Sequence, residues 1–322
     1  MVLAIVLYFS LKDNYEEIIE AIANMNYLWI AVALMTLIFY RILTSLGYYL
    51  IIRLNGENVS FLRCLLINFI ILFFHGVTPF AGGGQPMEIY YLHNEKIPVT
   101  KATNITLQNF IVYQVALVGV GIFALIYNAF YGLFPNDHLI KRLVIFGFLI
   151  NLAVLVITFV LSFGKRFNQF VSKKVVRFLG KVKIIRDEEK YQDKIQGYLT
   201  NFYRNASELK KHKLVVLECI GVNILGLVIM YSMPFAVAQG MGVDVSLVSA
   251  IVATAYIMII GSFVPIPGGT GGIEYGFVFF FGYFVTGGVL KAMMLVWRFI
   301  SYYLAMILGG CALSLYRKKE RQ

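Results

Sequence analysis

Four ionisable residues stand inside otherwise apolar stretches of this chain: Arg41, Glu88, Glu274 and Arg298. A charge at the centre of a hydrocarbon layer costs about 2.5–3.5 kcal/mol on insertion scales, so such residues face a partner or a polar path. The two carboxylates follow backbone breaks of the same make. Glu88 comes after Thr78, Pro79, Gly82, Gly83, Gly84 and Gln85; Glu274 comes after Pro265, Pro267, Gly268, Gly269, Thr270 and Gly271. Proline removes a backbone donor and glycine admits positive φ, so each cluster ends a helix and leaves N–H and C=O groups without helical partners. Lipid cannot satisfy those groups, so the break must face protein or a wet cavity. A helix restarting after it aims its N-terminal N–H groups at that cavity, which suits an anionic head group such as phosphate.

Each residue also has a plainer reading. The breaks can be kinks that serve tight packing. Glu88 and Glu274, each nine residues past its proline at Pro79 or Pro265, can be helix N-terminal carboxylates that bond the loop's own backbone. Their functional readings are a gate, a head-group contact or a proton-coupling carboxylate. Arg41 lies 14 residues into its span and cannot easily reach water, whereas Arg298, 8 residues into its own, can snorkel past Trp297. Asn68, Gln85, Asn104, Gln108, Asn109, Gln114 and Asn223 can line the same path or simply bond neighbouring helices. His75 lies one turn before the first break.

Covalent and metal chemistry find no support. Cys64, Cys219 and Cys311 are scattered in apolar sequence without a CxxC, and the four histidines form no HExxH pattern. No nucleophile is paired with a base, and no Walker motif is present. Neither catalytic residues, a metal nor a cofactor is expected.

The elements that must hold these residues are membrane spans. Of 322 residues, 59% are hydrophobic and 14% charged, against about 25% charged in a soluble domain; mean hydropathy is +0.76. Full-length apolar runs of about 20 residues or more occur at Tyr27–Ile52, Asn104–Tyr127, Leu143–Phe163, Leu214–Ala236 and Leu290–Tyr316. Phe61–Val77 and Leu247–Val264 run into the two breaks, and the apolar stretches beyond them are too short to cross again. Met1–Leu11 is apolar but short. A signal core ahead of Ala21-Ile22-Ala23 is disfavoured because no basic residue precedes it, and the tail of a longer span fits better. Asp13–Met25 reads as an amphipathic surface helix.

The net charge of +11 is concentrated: Gly164–Lys213 holds 14 Lys/Arg and 5 Asp/Glu, a net of +9. The positive-inside rule places this loop, with the basic C-terminus, in the cytoplasm. Nucleic acid is a poor explanation for a loop slung between spans. Phe167, Phe170, Val171, Val175, Phe178 and Leu179 recur there at helical spacing among lysines and arginines, a pattern suited to an anionic leaflet or to an ordinary cytoplasmic loop.

Sliding the chain on itself by 186 residues superposes Pro79, Gly82, Gly83 and Glu88 on Pro265, Gly268, Gly269 and Glu274, and Gly56, Val59 and Ser60 on Gly242, Val245 and Ser246. The expected architecture is an all-α polytopic membrane protein forming one transmembrane domain over residues 1–322. Within it lie a first repeat over 27–128, a linking span over 143–163, a basic loop over 164–213 and a second repeat over 213–316. Closing the count of crossings makes each break the tip of a re-entrant hairpin, with the two copies inverted. Such broken-helix repeats mark alternating-access transporters with a site near the midplane.

The run Thr78-Pro79 through Gly82-Gly83-Gly84-Gln85-Pro86-Met87-Glu88-Ile89-Tyr90-Tyr91-Leu92, the run Pro265-Ile266-Pro267-Gly268-Gly269-Thr270-Gly271-Gly272-Ile273-Glu274, and Trp297-Arg298-Phe299 with Tyr302-Tyr303 resemble the transmembrane region of lysylphosphatidylglycerol synthases. This region is the flippase module of the multiple peptide resistance factor, also found as stand-alone membrane proteins. The resemblance spans roughly Leu3 to Tyr316. It implies movement of a phospholipid or polyprenyl-linked lipid between the leaflets of the plasma membrane, with anionic head groups as partners and Tyr302 joining the site residues. Full-length members carry a soluble lysyl-transfer domain; with the sequence ending at Gln322, synthase activity is not expected. The family often has a Gly-Glu pair after the first proline, where this chain has Gly84-Gln85. A secondary transporter for a small solute or ion shares the same fold argument, a non-transporting scaffold is a further reading, and a homo-oligomer is compatible with the pattern.

Overall fold

A computed structural model describes residues 15–134, 138–164 and 211–320, with isolated positions between 170 and 197. Met1–Leu11 and most of the basic loop, including its apolar stripe, fall outside the described residues. The described chain is helical throughout, without a strand.

A short helix α1 (Tyr15–Ala23) leads into α2 (Tyr27–Leu54), α3 (Phe61–Val77), α4 (Gly84–Asn94), α5 (Val99–Tyr131) and α6 (His138–Phe163). The second half holds α7 (Lys213–Tyr231), α8 (Met233–Gly240), α9 (Leu247–Gly261), α10 (Gly272–Phe281), α11 (Gly287–Arg298) and α12 (Ala305–Glu320). Among the described residues, five segments are long and apolar enough to cross a membrane: Tyr27–Leu54, Val99–Tyr131, Leu139–Val160, Lys213–Gly240 and Gly287–Tyr316. These are the five runs expected from the sequence, extended at their polar ends. α5 starts at Val99 rather than Asn104 because helical hydrogen bonding continues through Thr100, Lys101 and Asn104 once the helix is packed. At the other edge of the expectation, the α7 run bends at Ser232, two residues before Pro234, which sits where a missing N–H does least harm.

Side-chain capping sets several starts. Asn26 accepts from Leu28 N–H at 3.0 Å at the head of α2, Ser60 from Arg63 N–H at 3.4 Å at α3, and Ser246 from Ser249 N–H at 3.0 Å at α9. The turns before α3 and α9 also match, with Gly56 at φ 74° and Gly242 at φ 71°.

Contacts fix how the elements run. α7–α8 lie antiparallel to α2: Asn223 meets Gly47, Gly226 meets Tyr40 and Gly240 meets Asn26. One end of the bundle gathers Glu57 with Lys101 (2.6 Å), Asn55 with Gln108 (2.6 Å) and Glu95 with Arg63 (3.7 Å) and Tyr316 (3.1 Å). The opposite end gathers Asn26 with Gly240, Glu17 with Gly288 and Phe134 with Phe280 and Tyr283. α3 and α4 form a helical hairpin rooted at the first end, α9 and α10 one rooted at the second, and their turns touch between the ends. At 17, 11, 15 and 10 residues, none of the four hairpin helices reaches the ~20 residues of a full span.

Two apolar cores flank this meeting point. One packs α9, α10 and α11, with Trp297, Phe277, Phe280 and Phe281 fully buried and the Phe277 and Trp297 rings stacked at 4.9 Å. The other packs the second half of α2 with α3, α4 and the start of α5. α6 leaves Phe146, Leu149, Ile157 and Phe159 more than half exposed, a surface that only hydrocarbon solvates well. α1 docks on α11 through buried Ile18 and through Glu17, whose carboxylate accepts the Gly288 N–H at 2.7 Å.

Candidate functional site

The second turn is held by an ion pair. Glu274 is the third residue of α10, and its Oε2 accepts the Gly271 N–H at 2.6 Å, closing the helix start. Its Oε1 accepts from Arg298 Nε at 2.6 Å, with both side chains under 10% exposed. The Arg298 guanidinium also donates to the Gly268 carbonyl, one of those freed by the break, and lies 4.4 Å over the Tyr302 ring. Arg298 ends α11, where six residues, Phe299–Leu304, wind as a π-helical segment before α12. Such segments redirect side chains and often occur at functional sites. Tyr302 crosses to the other hairpin and donates to the Gly76 carbonyl at 2.8 Å, in the last turn of α3. A Cβ at Gly268, whose φ is 66°, would lie 2.4 Å from the Tyr302 ring. Thr270 bonds the Pro267 carbonyl at 2.9 Å, and Pro265 stands exposed just ahead of the turn.

The first turn is built from neutral groups. Thr78 Oγ1 donates to the Phe74 carbonyl at 2.7 Å and accepts the Gly83 N–H at 2.9 Å. His75 Nδ1 meets the Ala81 carbonyl at 2.6 Å, and its ring fills the space where a Gly84 Cβ would stand. Phe80 and Ala81 both have φ near +54°, a region costing L-residues about 1–2 kcal/mol each. At the corresponding place the second turn has glycines, Gly268 and Gly269. Pro79, Phe80, Ala81 and Gly82 are exposed and Gln85 is half-buried.

The family model for the lysylphosphatidylglycerol synthase transmembrane region matches residues 1–309. The chain belongs to this family. Among its relatives, a UPF0104 membrane protein of Archaeoglobus fulgidus is 22% identical over 311 residues, covering 92% of this chain and 88% of that one. A UPF0104 membrane protein of Methanocaldococcus jannaschii is 21% identical over 327 residues, covering 99% and 92%. With five membrane-length helices among its described residues, the chain is a multi-pass membrane protein.

Family membership does not make the two carboxylates equivalent. The 186-residue register holds from Ser60 and Ser246 to the starts of α3 and α9, then slips by two. α4 starts at Gly84 and α10 at Gly272, and the left-handed pair is Phe80-Ala81 in one turn and Gly268-Gly269 in the other. Glu88 is therefore the fifth residue of α4, a full turn in, and makes no bond to the loop backbone. It is 6% exposed, and Asn109 Nδ2 approaches its Oε1 at 3.4 Å. The Tyr48 and Thr106 hydroxyls adjoin the same carboxyl, both buried and neither closing a hydrogen bond of ordinary geometry. No Lys or Arg among the described residues pairs with it within 4.0 Å.

Arg41 forms a third cluster. Its Nη1 donates to Asn68 Oδ1 at 3.0 Å, its guanidinium covers the Tyr40 ring at 4.4 Å, and its buried Nε has no partner. It lies within electrostatic reach of His75 and so beside the first turn. Among the described residues no carboxylate pairs with it. Residues 41, 45 and 48 form one stripe of α2, and Arg41 Nε, Ser45 Oγ and Tyr48 OH all lack partners. Ser45, Tyr48 and Thr106 were not among the residues singled out from the sequence, although polar residues at i, i+4 and i+7 in an apolar helix are a readable signal. Asn223, by contrast, bonds Cys219 O and wedges against Gly47, joining α7 to α2.

Proposed function

We propose that the chain is a lipid flippase or scramblase that passes an anionic phospholipid or polyprenyl-linked lipid between leaflets at the meeting point of the two hairpins. The observation that carries this reading is the touching pair of broken-helix turns, rooted at opposite ends of the bundle. In a bilayer these are re-entrant hairpins, and the corresponding helices α2 and α7 run antiparallel, as inverted copies would. Inverted repeats with discontinuous helices place a ligand where freed backbone groups converge near the midplane.

Arg41 supplies the cation for a phosphate. Arg298 already has its carboxylate, but among the described residues Arg41 has none, and its buried Nε has no partner there. Phe80, 62% exposed at the tip of the first turn, supports a lipid over a small solute, because it leaves a large apolar side chain uncovered at the meeting point. Arg53, Arg63, Lys96, Lys101 and Lys213 gather with Glu57 and Glu95 at the end where α3 is rooted, while Lys141, Arg142 and Lys291 stand with Glu16, Glu17, Glu20 and Asp244 at the other. That supports a cytoplasmic placement of the first end, with the basic loop and C-terminus in the plasma-membrane topology.

The test is translocation of labelled lipids by the purified chain in liposomes, using anionic, zwitterionic and lysyl phosphatidylglycerols and a polyprenyl phosphate. Wild type should move at least one anionic class, and Arg41→Gln should slow that class most. No movement of any lipid overturns the reading in favour of a small-solute transporter.

A further inference from the structure

The two intramembrane carboxylates differ in the kind of hydrogen-bond partner each one has. Glu274 faces donors only: the Arg298 Nε–H and the Gly271 N–H. A guanidinium and a backbone amide can only donate, so both bonds that Glu274 makes are ones a carboxylate accepts. Glu88 faces groups that can reverse. A hydroxyl can donate to a carboxylate or accept from a carboxylic acid, and the Tyr48 and Thr106 hydroxyls next to it are both uncommitted. Asn109 offers an amide with both capacities. A carboxyl surrounded this way is satisfied with its proton on or off, whereas one buried without a counter-cation is costly to keep ionised.

From the elements packed around it, α2 presents Tyr48 and α5 presents Thr106 and Asn109; Cys64 of α3 and Glu95, just past α4, lie within electrostatic reach of Tyr48. None of these is a cation. The α2 stripe continues from Tyr48 through Ser45 to Arg41, each with an unpartnered buried atom. Buried polar atoms without protein partners are where ordered water sits. The stripe thus links Glu88 to the first turn by polar steps of about one helical turn each.

We propose that Glu88 is a proton-binding site that couples substrate movement to a transmembrane proton gradient. The proposal rests on the flippase reading for its substrate but not for its chemistry. A proton taken from water on one side forms the O–H bond at a Glu88 oxygen. It is donated to Tyr48 or Thr106 while bound, and it leaves to water on the other side. Glu274, bonded by donors alone, has no part in this path.

Infrared spectroscopy of the purified full chain in lipid nanodiscs reads the site without any transport. Wild type should show a carboxylic C=O band that appears and disappears with pH, is absent in Glu88→Gln, survives in Glu274→Gln, and shifts in frequency in Tyr48→Phe. A wild-type chain without such a band, or a band that survives Glu88→Gln, overturns the proton site and leaves the flippase reading intact. Lipid translocation in proteoliposomes with an imposed pH gradient then tests coupling: wild type should move lipid several-fold faster in one gradient direction than in the other. Equal rates overturn the coupling. A titrating band with no movement of any lipid keeps the proton site and sinks the flippase reading instead.

Discussion

Replacing Arg298 with Met, which keeps an unbranched apolar stem and removes the charged head, isolates the latch at the second turn. In the wild-type structure the Glu274 carboxylate has two partners, Arg298 Nε and Gly271 N–H, each at 2.6 Å. Arg298→Met leaves Glu274 buried with the amide alone and also frees the Gly268 carbonyl. Breaking one side of a buried ion pair costs about 3–5 kcal/mol, because the remaining charge stays desolvated and unpaired. Glu274→Gln has the mirror effect, stranding the guanidinium, so a loss in the same range is expected. The double variant Glu274→Gln/Arg298→Met has no stranded charge. Removing both charges avoids the cost of a lone buried ion, and the neutral amide at position 274 can still accept the Gly271 N–H, so the double variant should recover most of the loss. The coupling energy should be at least ~3 kcal/mol, well outside the ~0.5 kcal/mol scatter of independent sites. Reversible unfolding by steric trapping in bicelles gives the four free energies. If the double variant loses the sum of the two singles, the side chains do not act as a pair and the latch is refuted.

Tyr302→Phe removes only the hydroxyl that bonds Gly76, at a net cost of about 0.5–1.5 kcal/mol. Because that bond ties one hairpin to the other, amide exchange should accelerate around Val77–Gly84 and Ser262–Gly271 while the rest of the chain keeps its protection. Gly268→Ala should be far worse than Gly242→Ala. Both have positive φ, but the new Cβ meets the Tyr302 ring at 2.4 Å in one case and open space in the other; yields of folded protein in mild detergent compare the two. In a chain with Cys64, Cys219 and Cys311 replaced, single cysteines at Glu57 and Asp244 should react with a membrane-impermeant maleimide from opposite sides of the bilayer. Labelling of both from one side would contradict hairpins rooted at opposite faces.

The lengths and places of the spans were readable in the sequence because burial in hydrocarbon imposes a single requirement, about twenty apolar residues, at every position alike. The breaks were readable for a similar reason. Proline and glycine act on their own backbone, so Pro79 and the Gly82–Gly84 run, like Pro267 and Gly268–Gly269, announce a turn whatever surrounds them. Side-chain partnership is not local in this way. Counting nine residues from each proline made Glu88 and Glu274 look like counterparts. The turns differ in length, however, and α10 begins two residues later in its copy than α4 does, which puts Glu274 at a helix start and Glu88 a full turn inside one. The sequence could not reveal that shift, because an ungapped comparison has no means of weighing where a helix resumes. The pairing of Arg298 with Glu274 across 24 positions, the absence of any carboxylate for Arg41 among the described residues, and the reversible hydroxyls around Glu88 are likewise decided by packing. Glu88 and Asn109, 21 positions apart, and Tyr302 and Gly76, 226 positions apart, meet only once the helices pack. Residue type determined that charges and breaks lie inside this membrane protein. Which of those charges meets an opposite charge was decided by the tertiary structure, because a buried charge is governed by whatever occupies the few ångströms around it.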